Sequence, residues 1–492
     1  MNLIVKSEIS RREFVKAVGM GAAGLVTQGC AGISQRVSSR KRNKPNLLFI
    51  WTDEQRADTM AAYGNRKICV PNLNRLASKS VVFEKAYVTQ PVCSPSRATV
   101  MTGLWPHASG ILKNNIPLPE ATPCFPELLG DPEYRTAYMG KWHLGDEIFA
   151  QHGFEQWVSI EDNYIQYYSS ERDKKARSDY HHYLLSLGLK PGEGNRFSRS
   201  FAASLPIDRC KPKFLERSAV DFMKRHRKEP FLLYVNFLEP HMPFTGPLND
   251  LHDPAEVDLP PNFDDPLEEN EPEKYKKKRA SCAKKYGTTE EDFRGLIARY
   301  WGLISQVDRS VGAILEALDS LGLADNTIVV HTSDHGDMMG SHRMVEKGVM
   351  YEESARVPWL MRVPWMGRKQ RLIKRPVSHI DLVPTLLDLM GRRSAGAKLP
   401  GKSLAPLMRG EGLAEDDVFI QWNSDVTTRT VVTADGWKLC LSRGDKCQLF
   451  NLIEDPGETI NLFDSGQHDQ IIRRLTDKIH QWQEAVRDEV KV

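Results

Sequence analysis

The chain has 492 residues, 40% of them apolar and 9% aromatic, so it can bury a large core in one main domain with a smaller one beside it. Lys and Arg (67) nearly balance Asp and Glu (64), and the formal net charge is only +3. This balance argues against general electrostatic attraction to nucleic acid or to an acidic membrane surface. We therefore expect no nucleic-acid partner, and any recognition of anions must be local.

The N-terminal segment indicates export. The pair Arg11-Arg12 precedes Glu13-Phe14 and a small, apolar stretch from 17 to 26, a pattern typical of a twin-arginine signal. The stretch is too short to span a bilayer, so no transmembrane segment is predicted. An amphipathic first helix is the alternative. We assign residues 1–44 to signal and linker, and expect a periplasmic or secreted protein in which Cys30 offers a lipid-anchoring alternative to plain cleavage.

Three apolar runs end abruptly in polar residues, as buried parallel strands do. The run from Leu47 ends at Asp53, the run from Phe231 to Phe237 leads into Glu239-Pro240-His241, and Thr327 to Thr332 leads into Ser333-Asp334-His335-Gly336. The carboxyl ends of parallel strands meet at one edge of a sheet, where α/β proteins bind their ligands. The sequence therefore predicts one site assembled from these three ends.

Helical periodicity between the strands, clearest from 298 to 321, completes an α/β pattern. Residues 248–286 are rich in Pro, Asp, Glu and Lys without apolar periodicity, so a surface excursion is predicted there. We place the main domain at 45–395. A segment rich in Gly, Arg and Pro separates it from a small α+β subdomain at 413–492, with strands predicted at 418–421, 428–433 and 437–442 and an amphipathic helix at 468–486.

Eight cysteines are scattered without metal-finger spacing, and only Cys440 and Cys447 lie close enough in sequence to bridge a hairpin. Cys93 belongs to the sharpest motif, Cys93-Ser94-Pro95-Ser96-Arg97. Ser94 and Pro95 are suited to the N-cap and first position of a helix, which would place Cys93 at an anion-binding helix end. Cys93 is then either a thiolate nucleophile or a plain turn residue.

The run from Cys93 through Arg97 and Ala98-Thr99-Val100-Met101-Thr102-Gly103 resembles the maturation motif of the formylglycine-dependent type I sulfatases, members of the alkaline phosphatase superfamily. The similarity extends over residues 46–462. It implies an alkaline-phosphatase-like α/β sandwich with a large, mostly parallel sheet between helices and a small C-terminal α+β subdomain. It also implies that a maturation enzyme oxidises Cys93 to formylglycine, whose hydrated aldehyde replaces the thiol as nucleophile.

The resemblance implies a metal site as well. Its ligands would be Asp53, Glu54, Asp334 and His335, together with the modified residue at Cys93. Ca²⁺ is the metal usual in this family, with Mg²⁺ and Mn²⁺ as alternatives for such oxygen ligands. Glu54 stands where many relatives carry Asp or Gln, and His335 stands where many carry Asn. Glu54 is therefore predicted either to coordinate differently or only to orient the other ligands.

Basic residues in motifs of the same family complete the predicted catalytic set. Gly140-Lys141-Trp142-His143 would place an ammonium beside the sulfate and a base, His143, beside the hydrate. In Pro240-His241-Met242-Pro243-Phe244 the histidine would protonate or bind the leaving alkoxide. Cationic groups would stabilise the transition state. The full catalytic set is Cys93, Arg97, Lys141, His143, His241 and Lys347.

These residues imply a sulfuric ester hydrolase that releases inorganic sulfate. Export favours an extracellular sulfated carbohydrate as substrate. One alternative is a phosphonate monoester or phosphodiester hydrolase of the same superfamily, because tetrahedral sulfur and phosphorus anions fit the same cationic site. A second is a silent protein that only binds sulfated glycans, but Asp53, Cys93 and Asp334 are all present.

Overall fold

The computed structural model describes residues 44–412, 417–424 and 426–492. The predicted signal and Cys30 lie outside the described residues. Within the described residues, no helix is both long and apolar enough to cross a membrane. Two sheets are formed. The larger contains β1 Asn46–Asp53, β2 Val81–Tyr87, β3 Arg135–Gly140, β4 Gln156–Val158, β5 Phe231–Pro240, β6 Thr327–Ser333, β7 Arg356–Arg362 and β8 Arg371–Ser378.

The large sheet has the strand order β4-β3-β5-β1-β6-β7-β2-β8. Only β7 runs antiparallel to its neighbours β6 and β2. β1 lies at the centre, in parallel pairing with β5 on one side and β6 on the other. Asp53 is opposite Pro240 of β5, and Thr52 is opposite Ser333 of β6. The three predicted strand ends therefore meet at one edge of the sheet, which confirms that prediction.

Alternate residues of β1 serve two different cores, as the period of two along a strand requires. Leu48 and Ile50 pack into a core on one face. Leu47, Phe49 and Trp51 pack into a core on the other face. All five are at most 1% exposed, which explains why the strand is apolar throughout.

Helices cover both faces of the sheet. The face of Leu48 is covered mainly by α7 Lys211–Arg225 and α9 Glu290–Ser320. The opposite face is covered mainly by α2 Cys93–Thr102 and α11 Leu382–Leu389. The remaining helices of the main body are α1 Pro71–Ala77, α3 Pro106–Ser109, α4 Phe125–Leu129, α5 Asp179–Ser186, α6 Arg199–Ala203, α8 Glu273–Tyr286, α10 Glu352–Ala355, α12 Arg393–Gly396 and α13 Ala405–Arg409.

The C-terminal part forms the small antiparallel subdomain. Its strands are β9 Val418–Asn423, β10 Thr427–Val432, β11 Trp437–Arg443 and β12 Gln448–Asn451, in the order β12-β11-β10-β9. Helix α14, Asp469–Val486, buries Leu475 and Ile479 against this sheet. The short strand β12 was not predicted, because it offers only four residues of pattern. The boundaries at 395 and 413 remain predictions.

Two sequence expectations are wrong. The excursion at 248–286 contains a 14-residue helix, α8, whose Tyr275 and Cys282 are buried in the main core. The many lysines of α8 concealed its apolar pattern, because only these two side chains of the helix are buried. Helix α9 begins at Glu290, well before 298, because Thr289 accepts the backbone N–H of Asp292 and Asp292 caps in return. The seven described cysteines, including Cys440 and Cys447, are free thiols.

Candidate active site

The ends of β1 and β6 place two carboxylates and an imidazole around one point. The Nε2 atom of His335 lies 3.8 Å from Oδ1 of Asp53 and 3.6 Å from Oδ1 of Asp334. The backbone N–H of Glu54 donates to Asp334 at 3.1 Å and so ties the two strand ends together. Glu54 adopts a φ of 73°, a strained conformation typical of functional sites. All four side chains are fully buried.

Cys93 is the first residue of α2, and its N-cap is Val92. The predicted N-cap, Ser94, is instead inside the first turn and donates to the carbonyl of His143 at 2.7 Å. This correction moves Cys93 into the helix but keeps it at the N-terminal end. Its Sγ atom lies 3.2 Å from Nε2 of His335 and 4.0 Å from Nζ of Lys141.

Electrostatics at Cys93 favour an anionic group. Burial and Asp53 raise the pKa of the thiol, but Lys141, Lys347 and His335 outweigh them and hold it below its ordinary value. The same surroundings suit any anionic oxygen that replaces the sulfur.

Arg97 lies one helical turn after Cys93 and binds both carboxylates. Its Nη2 donates to Asp53 and its Nε donates to Asp334, each at 2.8 Å. Lys141 also contacts Asp53. Burial raises the pKa of Asp53, but Lys141 and Arg97 outweigh burial and hold it well below its ordinary range. Asp53 is therefore a carboxylate, and two cations are fixed beneath the nucleophile position.

His143 carries a free lone pair. Its Nε2 lies 2.9 Å from Oδ1 of Asn115, an atom that can only accept, so Nε2 bears the proton. Nδ1 is buried and has no partner among the described residues. Burial, Lys141 and Arg97 hold the pKa of His143 well below its ordinary value, which keeps the ring neutral at neutral pH. The ring packs against that of Tyr164 at a tilt of 32°, with centroids 4.4 Å apart.

The backbone of His143 is also fixed. Its φ is 61°, and its N–H donates to the buried carboxylate of Glu147 at 2.7 Å. Glu147 also accepts the N–H of Trp142 at 2.8 Å. These two bonds hold the strained turn that aims the imidazole at the site.

Glu54 contacts Lys347 and His241, the two remaining basic residues of the predicted catalytic set, at the open end of the site, its mouth. Its Oε2 lies 2.7 Å from Nζ of Lys347 and 3.5 Å from Nε2 of His241. Burial raises the pKa of Glu54, and Lys347 opposes that shift. The pKa of Lys347 is raised by Glu54 despite burial, so the ammonium is charged. The side chains of His241 (9% exposed) and Lys347 (13%) are reached by solvent, unlike the buried floor.

A divalent cation fits the floor of the site. One donor atom from each of Asp53, Cys93, Asp334 and His335 lies within 4.8 Å of the others. Nδ1 of His335 is 2.9 Å from the carbonyl of Gly336, which orients Nε2 toward the other donors. Burial lowers the pKa of His335, but Asp334 and Cys93 raise it to about 10, so a cation would displace a proton.

The structure brings all the predicted site residues together, but it separates Glu54 from the four metal donors of the floor. Glu54 is grouped with Asp53 and His241, not with the four donors of the floor. The carboxylate of Glu54 therefore pairs with Lys347, in addition to any role that it has as a metal ligand.

Sequence reasoning missed four residues that touch the site: Asn115, Glu147, Tyr164 and Arg199. None belongs to a motif of fixed spacing around a strand end. Glu147 lies four residues after His143, and a buried acid so close to a Gly-Lys-Trp-His turn was the one available signal.

Comparisons with known proteins show which family the chain matches. The Sulfatase family model matches residues 45–392, and the model of the C-terminal part of N-sulphoglucosamine sulphohydrolase matches 340–485. The sulfatase YidJ of Escherichia coli is 29% identical over 90% of this chain and 88% of its own length. A Delta 4,5-hexuronate-2-O-sulfatase of Bacteroides thetaiotaomicron is 28% identical over 88% of each chain.

Among solved structures, the phosphonate monoester hydrolase of Silicibacter pomeroyi superposes with a TM-score of 0.76 at 21% identity, covering 90% of this chain and 96% of its own. At this identity the likeness concerns the fold alone. It shows the alkaline-phosphatase-like α/β fold, the fold class that was predicted. Within that class the chain belongs to the sulfatase family, whose members are sulfuric ester hydrolases.

Proposed function

We propose that this sulfatase cleaves a sulfate ester of an extracellular sulfated carbohydrate, with a formylglycine derived from Cys93 and a divalent cation, Ca²⁺ in the first place and Mg²⁺ or Mn²⁺ as alternatives. The observation that carries the proposal is the position of Cys93. Its Sγ lies at a helix N-terminus, within 4.0 Å of both His335 and Lys141, and one helical turn before Arg97.

Formylglycine, in its hydrated form, would supply an oxygen nucleophile, and the cation would supply Lewis-acid stabilisation. Asp53, Asp334 and His335 would hold the cation, with Glu54 either as a further ligand or as an orienting residue. Arg97 and Lys141 would fix the carboxylates and present positive charge to the sulfate oxygens.

His143 would act as the base. Its unprotonated Nδ1 is available because Asn115 engages the other ring nitrogen. The neutral ring would accept a proton at Nδ1 from a hydroxyl group held at position 93, the proton transfer that a base must perform there.

His241 and Lys347 would serve the leaving oxygen. Nδ1 of His241 lies 2.9 Å from the carbonyl of Met242 and so carries a proton. Nε2 faces the site and would donate to the leaving oxygen only after it has also gained a proton. The adjacent charged Lys347 offers the positive charge that a departing alkoxide needs. Both side chains lie at the open end, where the alcohol part of the substrate must lie.

Two arguments support the substrate class. The relative from B. thetaiotaomicron is a hexuronate sulfatase by name. Residues 1–44 predict export to where sulfated polysaccharides are found. Export is testable by fusing residues 1–44 to a reporter enzyme: Arg11→Lys with Arg12→Lys should abolish translocation, and unchanged translocation would exclude the twin-arginine route.

The deciding experiment combines mass analysis with product analysis. Protein co-expressed with a formylglycine-generating enzyme should carry an aldehyde at position 93 and release sulfate from at least one sulfated saccharide. A Cys93→Ala variant is the control and should be inactive. An unmodified Cys93 after competent co-expression would exclude the formylglycine mechanism.

The same samples test the alternatives. Release of phosphonate or phosphate without any sulfate would assign the chain to the phosphorus-ester hydrolases whose fold it shares. Tight binding of sulfated glycans by a modified protein without turnover would indicate a silent binding protein.

A further inference from the structure

Arg199 lies between the two histidines of the site, although none of the motifs identified in the sequence contains it. Its Nη2 donates to the hydroxyl of Tyr164 at 3.0 Å, and the Tyr164 ring packs against His143. Its Nη1 lies 3.4 Å from Nδ1 of His241. The side chain of Arg199 is 19% exposed, more than that of His241 or Lys347, so solvent and ligands can reach it.

The guanidinium is held rigidly from behind. Nε and Nη2 of Arg199 donate to the two carboxylate oxygens of Glu161, at 2.7 and 2.5 Å. Lys211 donates to the same carboxylate at 2.7 Å. Glu161 is completely buried and Lys211 is 5% exposed. A buried bidentate pair fixes the plane of an arginine side chain, so its remaining edge has a defined direction.

The remaining edge, Nη1, lacks an acceptor among the described residues. The ring nitrogen nearest to it, Nδ1 of His241, lies 2.9 Å from the carbonyl of Met242 and gives its proton to that oxygen. A nitrogen that bears a proton cannot accept from Arg199. The Nη1 donors therefore face the partly exposed mouth with no protein acceptor.

The outer part of the site carries positive charge that its own carboxylates do not balance. On the floor and at Lys347, the cations Arg97, Lys141 and Lys347 are each paired with a carboxylate. Farther out, Arg199 and Lys211 share the single ionised carboxylate of Glu161. The nearby Glu239 compensates only in part, because burial raises its pKa to about 7. A positively charged, pre-oriented donor edge thus lies beside the position of the leaving oxygen.

We infer that Arg199 is a specificity-determining residue that binds a second anionic group on the substrate, a carboxylate or a further sulfate carried by the saccharide next to the ester that is cleaved. The inference rests on the proposed function and narrows its substrate class from sulfated carbohydrates to acidic or multiply sulfated ones. Sugars whose only anionic group is the sulfate ester that is cleaved lack the group that Nη1 would bind.

The test compares matched substrate pairs. One pair is a 2-O-sulfated hexuronic acid and the corresponding hexose with the carboxylate reduced to an alcohol. The other is glucosamine carrying 2-N- and 6-O-sulfates and glucosamine carrying only the 6-O-sulfate. The matured parent should prefer the more anionic member of one pair. Arg199→Gln should lower kcat/KM for that member by roughly 10- to 100-fold, mainly through KM, because a hydrogen bond to a charged group is lost.

Two further variants serve as controls. Arg199→Lys keeps the positive charge that faces Glu161 but lacks the planar, forked guanidinium. Its loss of kcat/KM should therefore be intermediate. Arg196→Gln alters an exposed arginine of the same segment and should leave the preference unchanged. Loss confined to the first pair identifies a carboxylate, and loss confined to the second identifies a sulfate. Equal losses on both members of each pair, or no preference in the parent, would overturn the inference.

Binding separates this inference from the proposed function. Unmatured protein with Cys93 should bind the same saccharides without cleaving them, so calorimetric titration does not depend on turnover. Weaker binding of the anionic member alone by Arg199→Gln supports the inference even if no sulfate is ever released. Equal binding of both members by parent and variant would overturn it even if sulfate release is confirmed.

Discussion

The Nε atom of Arg97 lies 2.8 Å from Oδ2 of Asp334, and neither side chain has any exposed surface. The neighbouring Nη2 atom of the same guanidinium binds Asp53 at the same distance. A single arginine from helix α2 therefore joins the ends of β1 and β6. The cysteine motif thus has a structural consequence as well as a chemical one, since its arginine holds two predicted metal ligands in place.

Asp334→Ala should destabilise the protein even without metal. The substitution leaves half of a buried guanidinium unpaired, and breaking such a pair costs about 3 kcal/mol or more. Urea unfolding in the presence of a chelator measures this directly. Asp325→Ala is the matched control, because Asp325 is 78% exposed and pairs with Arg368 at the surface. Equal effects of the two variants would contradict the structural role of the pair.

Ca²⁺ should raise the stability of unmatured protein. A ligand present at 100 times its Kd stabilises the folded state by about 2.7 kcal/mol, which thermal unfolding with and without chelator detects. His335→Ala should abolish this gain. Glu127→Gln should preserve it, since Glu127 belongs to a separate group of donors with Cys124 and His152. A gain that persists in His335→Ala would place the cation elsewhere.

Glu54→Gln should lower kcat about 100-fold with a smaller change in KM, because Lys347 loses the carboxylate that positions it beside the leaving oxygen. Glu346→Gln is a neighbouring control whose carboxylate contacts Lys285 and Tyr286 instead. Calcium titration of both variants addresses the metal. We expect Glu54→Gln to weaken Ca²⁺ binding less than His335→Ala does. Equal kinetic effects of the two glutamine variants would refute the positioning of Lys347.

The parts of the site that lie on strand ends were predictable, because an apolar run that stops at Asp53 or Ser333 has one plausible place in a parallel sheet. The first residues of helices were harder to predict from the sequence. Ser94 has the chemistry of an N-cap, yet its hydroxyl is used by the carbonyl of His143, 49 residues away. Arg199 and Asn115 could not be found from local patterns, because only the folded chain brings their segments to His241 and His143.

His331 should make the protein lose stability in mild acid. It lies within the central strand β6, fully buried, and neither ring nitrogen has a partner among the described residues. Burial alone lowers its pKa to about 3. In the unfolded chain the imidazole titrates near its ordinary value of about 6.5. Below that pH the unfolded chain binds a proton that the folded protein refuses, so stability is full above pH 6.5 and falls as pH decreases toward 3.

His331→Leu removes this linkage and places an apolar side chain at the same buried position. The free energy of unfolding of the variant should gain on that of the parent by roughly 1 kcal/mol for each pH unit between about 6 and 4. Urea unfolding at pH 7, 6 and 5 measures the difference in slope. The exposed His182 is the control, and His182→Leu should leave the slope unchanged. Parallel pH profiles for His331→Leu and the parent would mean that the folded protein accepts the proton at His331, in contradiction to its apolar surroundings.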